Sequence, residues 1–388
     1  MKKRISILGS TGSIGRSTFE IINKKKKLFE IYLLAANKNY NLICKQIKKY
    51  KPVIFIIRNK IIYDKVKKKF NKNKVQILNE LDIKYLKKTD TTISAIPGIA
   101  GLKPTLLMTK FSKNILIANK ETIICGWSLI KKQAKKYQCK IIPIDSEHFS
   151  IFKLLEHHKL EEIENIYITA SGGPFLNYKK HQFKKIKPKD ALKHPKWKMG
   201  KKISVDSSTL INKILEVIEA EKLFNIPNKK IKILIHPNSL VHAIIELKNG
   251  LTKFIYHETS MLIPIANAIF NDQLDIKNFY VPKNKKIIEN LFFKKVSKIT
   301  FPIIKIKNRV NEFPSTSIII NSSNEVLVDH FLQKKIDFLS ISKIIMIILN
   351  DKNYRKYAIR NPININQINK IDNWARNITL KKIRLINE

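Results

Sequence analysis

The stretch "ILGSTGSIGRST", residues 7–18, limits the fold more than any other part of the chain. A short apolar run stops at Gly9, and a helical pattern begins around Gly12 and Gly15. Glycines between a strand and a helix let the backbone approach a pyrophosphate, while the helix N-terminus offers free N–H groups and a positive dipole end. The spacing GxxGxxG is a variant of the commoner dinucleotide fingerprint. A kinase-type phosphate loop does not fit. Gly9 lies one residue too far from Gly15, and Arg16 stands where that loop needs lysine.

The alternation that starts there continues. "RISILG", "IYLLAAN", "VIFII", "TTISAIPG" and "ILIANKE" read as strands, each followed by a lysine-studded amphipathic stretch or a Gly/Pro break. Buried strands alternating with helices predict an α/β protein with an N-terminal Rossmann-like, doubly wound parallel sheet. The second strand ends in "AANKN", so Asn37, Lys38 and Asn39 stand where NAD sites usually carry an acid for the ribose hydroxyls. Neutral and positive groups at that point favour the 2′-phosphate of NADPH.

A second, α+β unit begins near "KIIPIDSEH". It holds "IENIYITASGGPF", a polar stretch over 177–202, the helical "SSTLINKILEVIEAEKLF", and the strand-like "IKILIHP", "LVHAIIEL" and "LTKFIYHE". A Lys/Pro-rich connector and a mainly helical C-terminal part follow. The predicted boundaries are 1–142, 143–280, 281–310 and 311–388.

The chain carries 75 Lys+Arg against 30 Asp+Glu, a formal charge of +45. A nucleic-acid surface needs basic residues interleaved with exposed aromatics on one face. Here the lysines are scattered through apparent loops, as in "NKKKKL", "KVKKKFNKNK" and "YKKHQFKKIKPK". The chain is also rich in Ile and Asn, which share AT-rich codons with Lys, so base-composition drift accounts for the charge and no specific nucleic-acid partner is expected. Three widely spaced cysteines fit neither a disulfide framework nor a zinc knuckle. No apolar run reaches the roughly 18 residues that span a bilayer, and "MKKR" passes straight into a strand pattern without a signal core. The expectation is a cytoplasmic protein with no membrane association.

Two polar stretches then stand out. In "PIDSEH", an extended backbone would send Asp145 and Glu147 to the same side. Such neighbours raise each other's pKa unless a metal ion, a lysine or water lies between them. In "HPKWKMGKKISVDSSTLINKILE", the run Asp206, Ser207, Ser208 and Thr209 reads as an N-cap cluster that opens a helix. On that helix Asn212 and Glu216 are four residues apart, and Lys213 and Glu216 three, so all three can face one site. Ser207, Asn212 and Lys213 suit a substrate phosphate, although Lys213 and Glu216 taken alone could equally be a surface ion pair. Asp145, Glu147 and Glu216 together form an all-oxygen donor set, which suits Mg²⁺ or Mn²⁺ better than zinc.

With these residues assembled, the chain resembles the 1-deoxy-D-xylulose 5-phosphate reductoisomerase family. The resemblance runs through "GSTGSIG", "ANKET", "PIDSEH", "ASGGPF", "HPKWKMGKKISVDSSTLINKILE", "IHPNSLVH" and, more faintly, "NSSNEV", in order along nearly the whole chain. It implies an NADPH- and metal-dependent enzyme that rearranges the carbon skeleton of a sugar phosphate and then reduces the product by hydride transfer. By the same resemblance Thr11, Gly12, Ser13 and Ile14, with Asn37, Lys38 and Asn39, would hold NADPH, and Asn119, Glu121 and Gly200 would complete its nicotinamide side. Asp145, Glu147 and Glu216 would ligate one Mg²⁺ or Mn²⁺, with Co²⁺ as a further option. Lys120, Ser146 and Glu147 would meet the reacting end of the sugar, and Glu216 would face the substrate from the metal side. Ser171, Ser207, Asn212 and Lys213 would hold the phosphate, with His194 alongside. Lys120, Glu147 and His194 are the implied catalytic residues. Trp197 and Met199 would lie in a mobile lid over about 171–202, and the enzyme would be a homodimer joined through its central sheet.

Several positions depart from the family pattern. Asn37 replaces a usual glycine, and Pro97 replaces a β-branched residue. In "HETSMLIPI", residues 257–265, only Met261, Pro264 and Ile265 survive from Gly-x-Pro-Asp-Met-Arg-x-Pro-Ile. An NADP-dependent dehydrogenase of another sugar phosphate is the alternative, but it gives no reason for three carboxylates. A basic nucleic-acid-binding protein and a decayed scaffold are weaker readings.

Overall fold

The computed structural model describes residues 2–197, 199–281 and 291–387. Residues 282–290 of the expected connector and Lys198 of the expected lid lie outside the described residues. The chain forms two compact units.

The first unit combines the described residues of Met1–Thr122, Ser128–Phe149 and Ser260–Lys285. Its sheet contains β1 (Lys3–Leu8), β2 (Phe29–Ala36), β3 (Ile54–Ile57), β4 (Gln76–Leu78), β5 (Thr89–Ser94), β6 (Ser112–Ile117) and β7 (Lys140–Pro143). The spatial order is β4-β3-β2-β1-β5-β6-β7, and every pairing is parallel. The chain winds outward in one direction from β1 and in the other from β5, so the switch point lies between them, at the end of β1 where Gly9 sits. This is the doubly wound sheet that the strand pattern predicts. Its central strands are buried along nearly their whole length, as a sheet covered on both faces must be. The helices Tyr40–Tyr50 and Lys60–Lys69 each start on an asparagine cap: Asn39 Oδ1 accepts from Leu42 N at 3.1 Å, and Asn59 Oδ1 from Ile62 N at 3.0 Å. "KIIP", read from sequence as the start of the second unit, pairs instead with β6 as the last strand of this sheet. The helix Leu262–Phe270, which begins in the divergent 257–265 segment, also belongs here. Phe270 meets Phe29 edge-on at 5.7 Å, and Lys3 Nζ donates to the Ile269 carbonyl at 3.3 Å.

The second unit comprises Ile123–Trp127, Ser150–Thr259 and the described residues from 291 on. Its sheet is mixed. The strands β8 (Ile163–Ala170), β9 (Ile231–Ile235), β10 (Val241–Leu247), β11 (Thr252–Tyr256) and β12 (Lys294–Lys295) lie in the order β11-β10-β8-β9-β12, and only β8 and β9 run parallel. Ile166, Ile168, Ile231, Ala243 and Ile245 form a core with Val217 and Ala220 of the helix Ile211–Phe224. The C-terminal part is helical as expected, through Thr316–Leu332, Phe338–Leu349, Tyr354–Ala358 and Ile365–Asn387. Arg376 ties two of these helices together by pairing with Asp372 at 2.8 Å and with Glu325. Among the described residues no helix is long and apolar enough to cross a membrane. Cys44, Cys125 and Cys139 are all buried, and none of them is in a disulfide.

One predicted helix start is overturned. Asp206–Thr209 do not cap a helix but lie inside one, Lys201–Thr209, whose N-cap is Gly200. The break comes at Leu210, which takes φ +67° and separates that helix from Ile211–Phe224. Leucine is an unusual residue for the left-handed region, so no glycine marks the break in the sequence.

Candidate active site

The glycine turn is built by close approach. Gly9 has φ +90°, and a Cβ there would lie 2.5 Å from the Ala95 carbonyl oxygen at the end of β5. A Cβ on Gly15 would lie 2.6 Å from the carbonyl oxygens of both Gly9 and Ser10. Gly12 caps the helix Ser13–Lys24, and its N–H donates to Gly9 O at 3.0 Å. Buried Gln46 braces the turn: Ser10 Oγ donates to its Oε1 at 2.8 Å, and its Nε2 donates to Ser10 O at 2.9 Å. Thr11, Gly12, Ser13 and Ile14 remain at least partly exposed, where the first N–H groups of the helix have no intrahelical acceptor. Asn37, Lys38 and Asn39 are exposed just beyond β2.

Asn119 closes the neighbouring loops. Its Nδ2 donates to the carbonyls of Ile96 and Gly98, and its Oδ1 accepts from Thr122 N at 2.5 Å, starting the helix Lys120–Lys136. A side chain on Gly101 would collide with this clip. Lys120 and Glu121 open the helix, Lys120 half-buried and Glu121 buried.

The "PIDSEH" stretch is not extended. β7 ends at Pro143, and a helix runs over Ser146–Leu155. Asp145 caps that helix: its Oδ1 accepts from His148 N at 2.9 Å. The same oxygen lies 2.7 Å from His148 Nδ1. Burial alone would raise the Asp145 pKa, but the charges of His148 and Lys120 hold the carboxyl well below the usual carboxylate range. Ser146 Oγ donates to Glu147 in the first turn. Cap and first-turn geometry, rather than strand alternation, thus places these two acids. His148, fully buried, is the residue sequence reasoning missed. Its signal was the three-residue spacing from an N-cap aspartate.

The second unit carries the groups expected to meet the phosphate. His194 Nδ1 accepts from the backbone N–H of Trp197 at 2.9 Å and of Lys196 at 3.2 Å. The ring proton therefore sits on Nε2, which donates to Ser171 Oγ at 2.9 Å. Burial, and then the positive charge of Lys213, push the His194 pKa down to about 4, so the ring is neutral near pH 7. Ser171 Oγ also accepts from Gly173 N at 3.1 Å. Gly173, at φ +63°, approaches the other helix so closely that a Cβ would lie 3.2 Å from Ser207 O and 3.1 Å from Ser208 Cα. Ser207 alone among residues 204–210 is not buried.

Beyond Leu210, Asn212 Nδ2 donates to Glu216 Oε1, and Lys213 Nζ donates to Oε2 at 2.7 Å. Lys213 is 6% exposed and Glu216 1%. The three residues face one another as the helical spacing predicts, and the surface-pair reading of Lys213–Glu216 fails on burial. Asp206, also buried, is held by Asn324 at 2.7 Å and Lys202 at 2.9 Å, which links the helix Lys201–Thr209 to Thr316–Leu332. His194, Trp197 and Met199, with Leu192, Lys193, Pro195 and Lys196, line a pocket of about 340 Å³. Gly200 is exposed, and a Cβ there would meet nothing within 4 Å. No steric demand in the structure accounts for that glycine.

Comparison with known proteins identifies the family. The profile of 1-deoxy-D-xylulose 5-phosphate reductoisomerase matches residues 5–126, that of its C-terminal domain matches 141–224, and a further profile, DXP reductoisomerase C-terminal domain, matches 257–378. The 1-deoxy-D-xylulose 5-phosphate reductoisomerase of Pelagibacter ubique is 46% identical over 387 residues, covering 96% of this chain and 97% of its own. That of Clostridium novyi is 41% identical, with 88% and 91% covered. Among solved structures, a DOX-P reductoisomerase in complex with NADPH, fosmidomycin and magnesium superimposes with a TM-score of 0.91 at 31% identity, over 100% of this chain and 99% of that one. The Zymomonas mobilis enzyme in complex with NADPH gives 0.87 at 29% identity, covering 99% of each chain. The chain belongs to the 1-deoxy-D-xylulose 5-phosphate reductoisomerase family.

Proposed function

We propose that the chain converts 1-deoxy-D-xylulose 5-phosphate to 2-C-methyl-D-erythritol 4-phosphate with NADPH and one divalent ion, in the non-mevalonate route to isoprenoids. The observation that carries this reading is the buried Asn212–Lys213–Glu216 cluster beside a neutral His194 that donates to Ser171. A plain dehydrogenase has no use for a buried carboxylate held by an amide and an ammonium group. A phosphate-bearing substrate and a hard cation account for both.

In this reading Thr11–Ile14 bind the pyrophosphate of NADPH through helix N–H groups, and Asn37–Asn39 take its ribose end, with Lys38 on the 2′-phosphate. Asn119, Glu121 and Gly200 bound the nicotinamide, which supplies the hydride. Asp145, Glu147 and Glu216 hold Mg²⁺ or Mn²⁺. The donor chemistry fits, because all three are carboxylates and Asp145 is kept ionised. The bound ion supplies Lewis-acid polarisation of the substrate carbonyl. Ser171, Ser207, Asn212 and Lys213 hold the phosphate. His194, neutral and donating, orients the Ser171 hydroxyl. Lys120, Ser146 and Glu147 meet the reacting carbons, and Lys120 carries the proton traffic. The 171–202 stretch closes over the substrate with Trp197 and Met199, so that contacts remote from the reacting carbons assist the reaction. We also place the enzyme in the cytoplasm as a homodimer. The edge strand β11, with Phe254 exposed, offers a face for pairing.

The test is an absorbance assay of NADPH oxidation with the xylulose phosphate, after chelation and after Mn²⁺ is returned. Turnover that requires both substrate and metal is the expected result. No turnover under any metal condition, or equal turnover after thorough chelation, would overturn the reading. A second expectation concerns the cofactor. Lys38→Glu raises the KM for NADPH by about tenfold or more, and that for NADH by less than about threefold, because only the former carries the phosphate that the lysine meets. Equal changes in the two KM values would remove Lys38 from the cofactor site.

A further inference from the structure

The segment 257–265, which departs most from the family pattern, brings an aromatic ring into the second unit at its first residue. His257 is buried, and its ring stacks on that of His242 with centroids 4.0 Å apart and planes 20° from parallel. The outer ring of the series is Trp197, edge-on to His242 at 6.1 Å. Two hydrogen bonds fix the stack. His257 Nδ1 donates to Glu258 O at 2.8 Å, and His242 Nε2 donates to His257 O at 3.2 Å. Both imidazoles are thus tied to one turn of backbone, and His242 is pressed between the turn and the tryptophan. Trp197 in turn lies beside His194, whose Nδ1 accepts the Trp197 backbone N–H.

We propose that His257 is a positioning residue for substrate capture: its ring backs His242, which sets the resting place of Trp197 and hence of the wall that Trp197 shares with His194, Pro195 and Met199, which the sugar phosphate meets. The inference rests on the lid role given to that stretch above. Without the His257 ring, His242 loses a stacking face and can tilt, and Trp197 loses its fixed neighbour. Closure over the phosphate end favours ground state and transition state alike, so its loss raises KM and leaves kcat nearly unchanged.

The experiment compares wild type, His257→Ala and His257→Phe. For His257→Ala the KM for the xylulose phosphate rises about fivefold, the scale of one aromatic pair, while kcat and the KM for NADPH stay within about twofold. His257→Phe keeps a stacking ring and retains the wild-type KM. A second readout needs no turnover. The emission of Trp197, obtained by difference from a Trp197→Phe chain, moves to longer wavelength in His257→Ala and stays in place in His257→Phe. A folded alanine variant with unchanged KM and unchanged emission overturns the proposal, as does a phenylalanine variant impaired to the same degree as alanine. If the alanine chain does not fold, the phenylalanine chain decides alone: wild-type KM and emission support the stack, and a fivefold rise in KM sinks it. If wild type itself does not consume NADPH, the functional reading fails, while the emission shift still tests the ring contact.

Discussion

Glu216→Gln is expected to lower turnover by at least about a thousandfold while changing NADPH affinity by less than about threefold. The substitution preserves shape and removes charge. In wild type the two carboxylate oxygens of Glu216 accept from Asn212 and Lys213 in a site 1% exposed. A glutamine presents one acceptor oxygen where the carboxylate presents two, and it removes the negative charge 2.7 Å from the buried Lys213 ammonium. That costs about 1–3 kcal/mol of stability, and a melting curve will register it. In the proposed site it also takes one anionic ligand from the divalent ion, and that loss dominates the expected fall in activity. NADPH affinity should hold, because the glycine turn belongs to the other compact unit and is braced by Ser10 and Gln46. Steady-state kinetics with a cofactor titration separates the two effects. Turnover within tenfold of wild type would remove Glu216 from the metal set.

Gly9→Ala should abolish NADPH binding and destabilise the first unit by about 2–4 kcal/mol. Two costs combine. The residue takes φ +90°, where a Cβ is strained whatever its surroundings, and that Cβ would lie 2.5 Å from backbone at Ala95. The obstacle is carbonyl rather than a pliant side chain, so the end of β1 or of β5 has to move. Gly9 N donates to Ala35 O at 2.9 Å, and Ala95 N donates to Leu8 O at 2.9 Å, so the shift propagates into both neighbours of β1. Gly12→Ala is the matched control. Its Cβ would meet only Gly9 O at 3.3 Å, and its backbone is extended, so it should fold nearly as wild type does. Equilibrium binding of NADPH and thermal melting of both variants check the pair. Normal NADPH binding by Gly9→Ala would show that the turn is not the pyrophosphate cradle.

Much of this architecture was legible beforehand. Strand runs such as "ISIL" and "IYLLAA" are continuous and β-branched or leucine-rich because helices cover both faces, and that burial writes itself into composition. The helical spacing of Asn212, Lys213 and Glu216 was equally direct. Other features depend on interactions that leave no local mark. The four residues "KIIP" are apolar in either sheet, and only their pairing with β6 decides between them. Leu210 is left-handed without being glycine, so the kink before Asn212 had no residue signature. In "PIDSEH" the alternation of acids suggested a strand. The aspartate had already begun a helix, with His148 as its partner through both backbone and ring. His257 had meaning only once the turn had folded it against His242.

The central claim is that Asp145, Glu147 and Glu216 serve one divalent ion, and a direct Mn²⁺ titration followed by electron paramagnetic resonance tests it. The account predicts one tightly bound ion per chain, with affinity falling at least about tenfold in each of Asp145→Asn, Glu147→Gln and Glu216→Gln. Wild-type Mn²⁺ affinity in the Glu216→Gln chain, or two ions bound independently of each other, would contradict it.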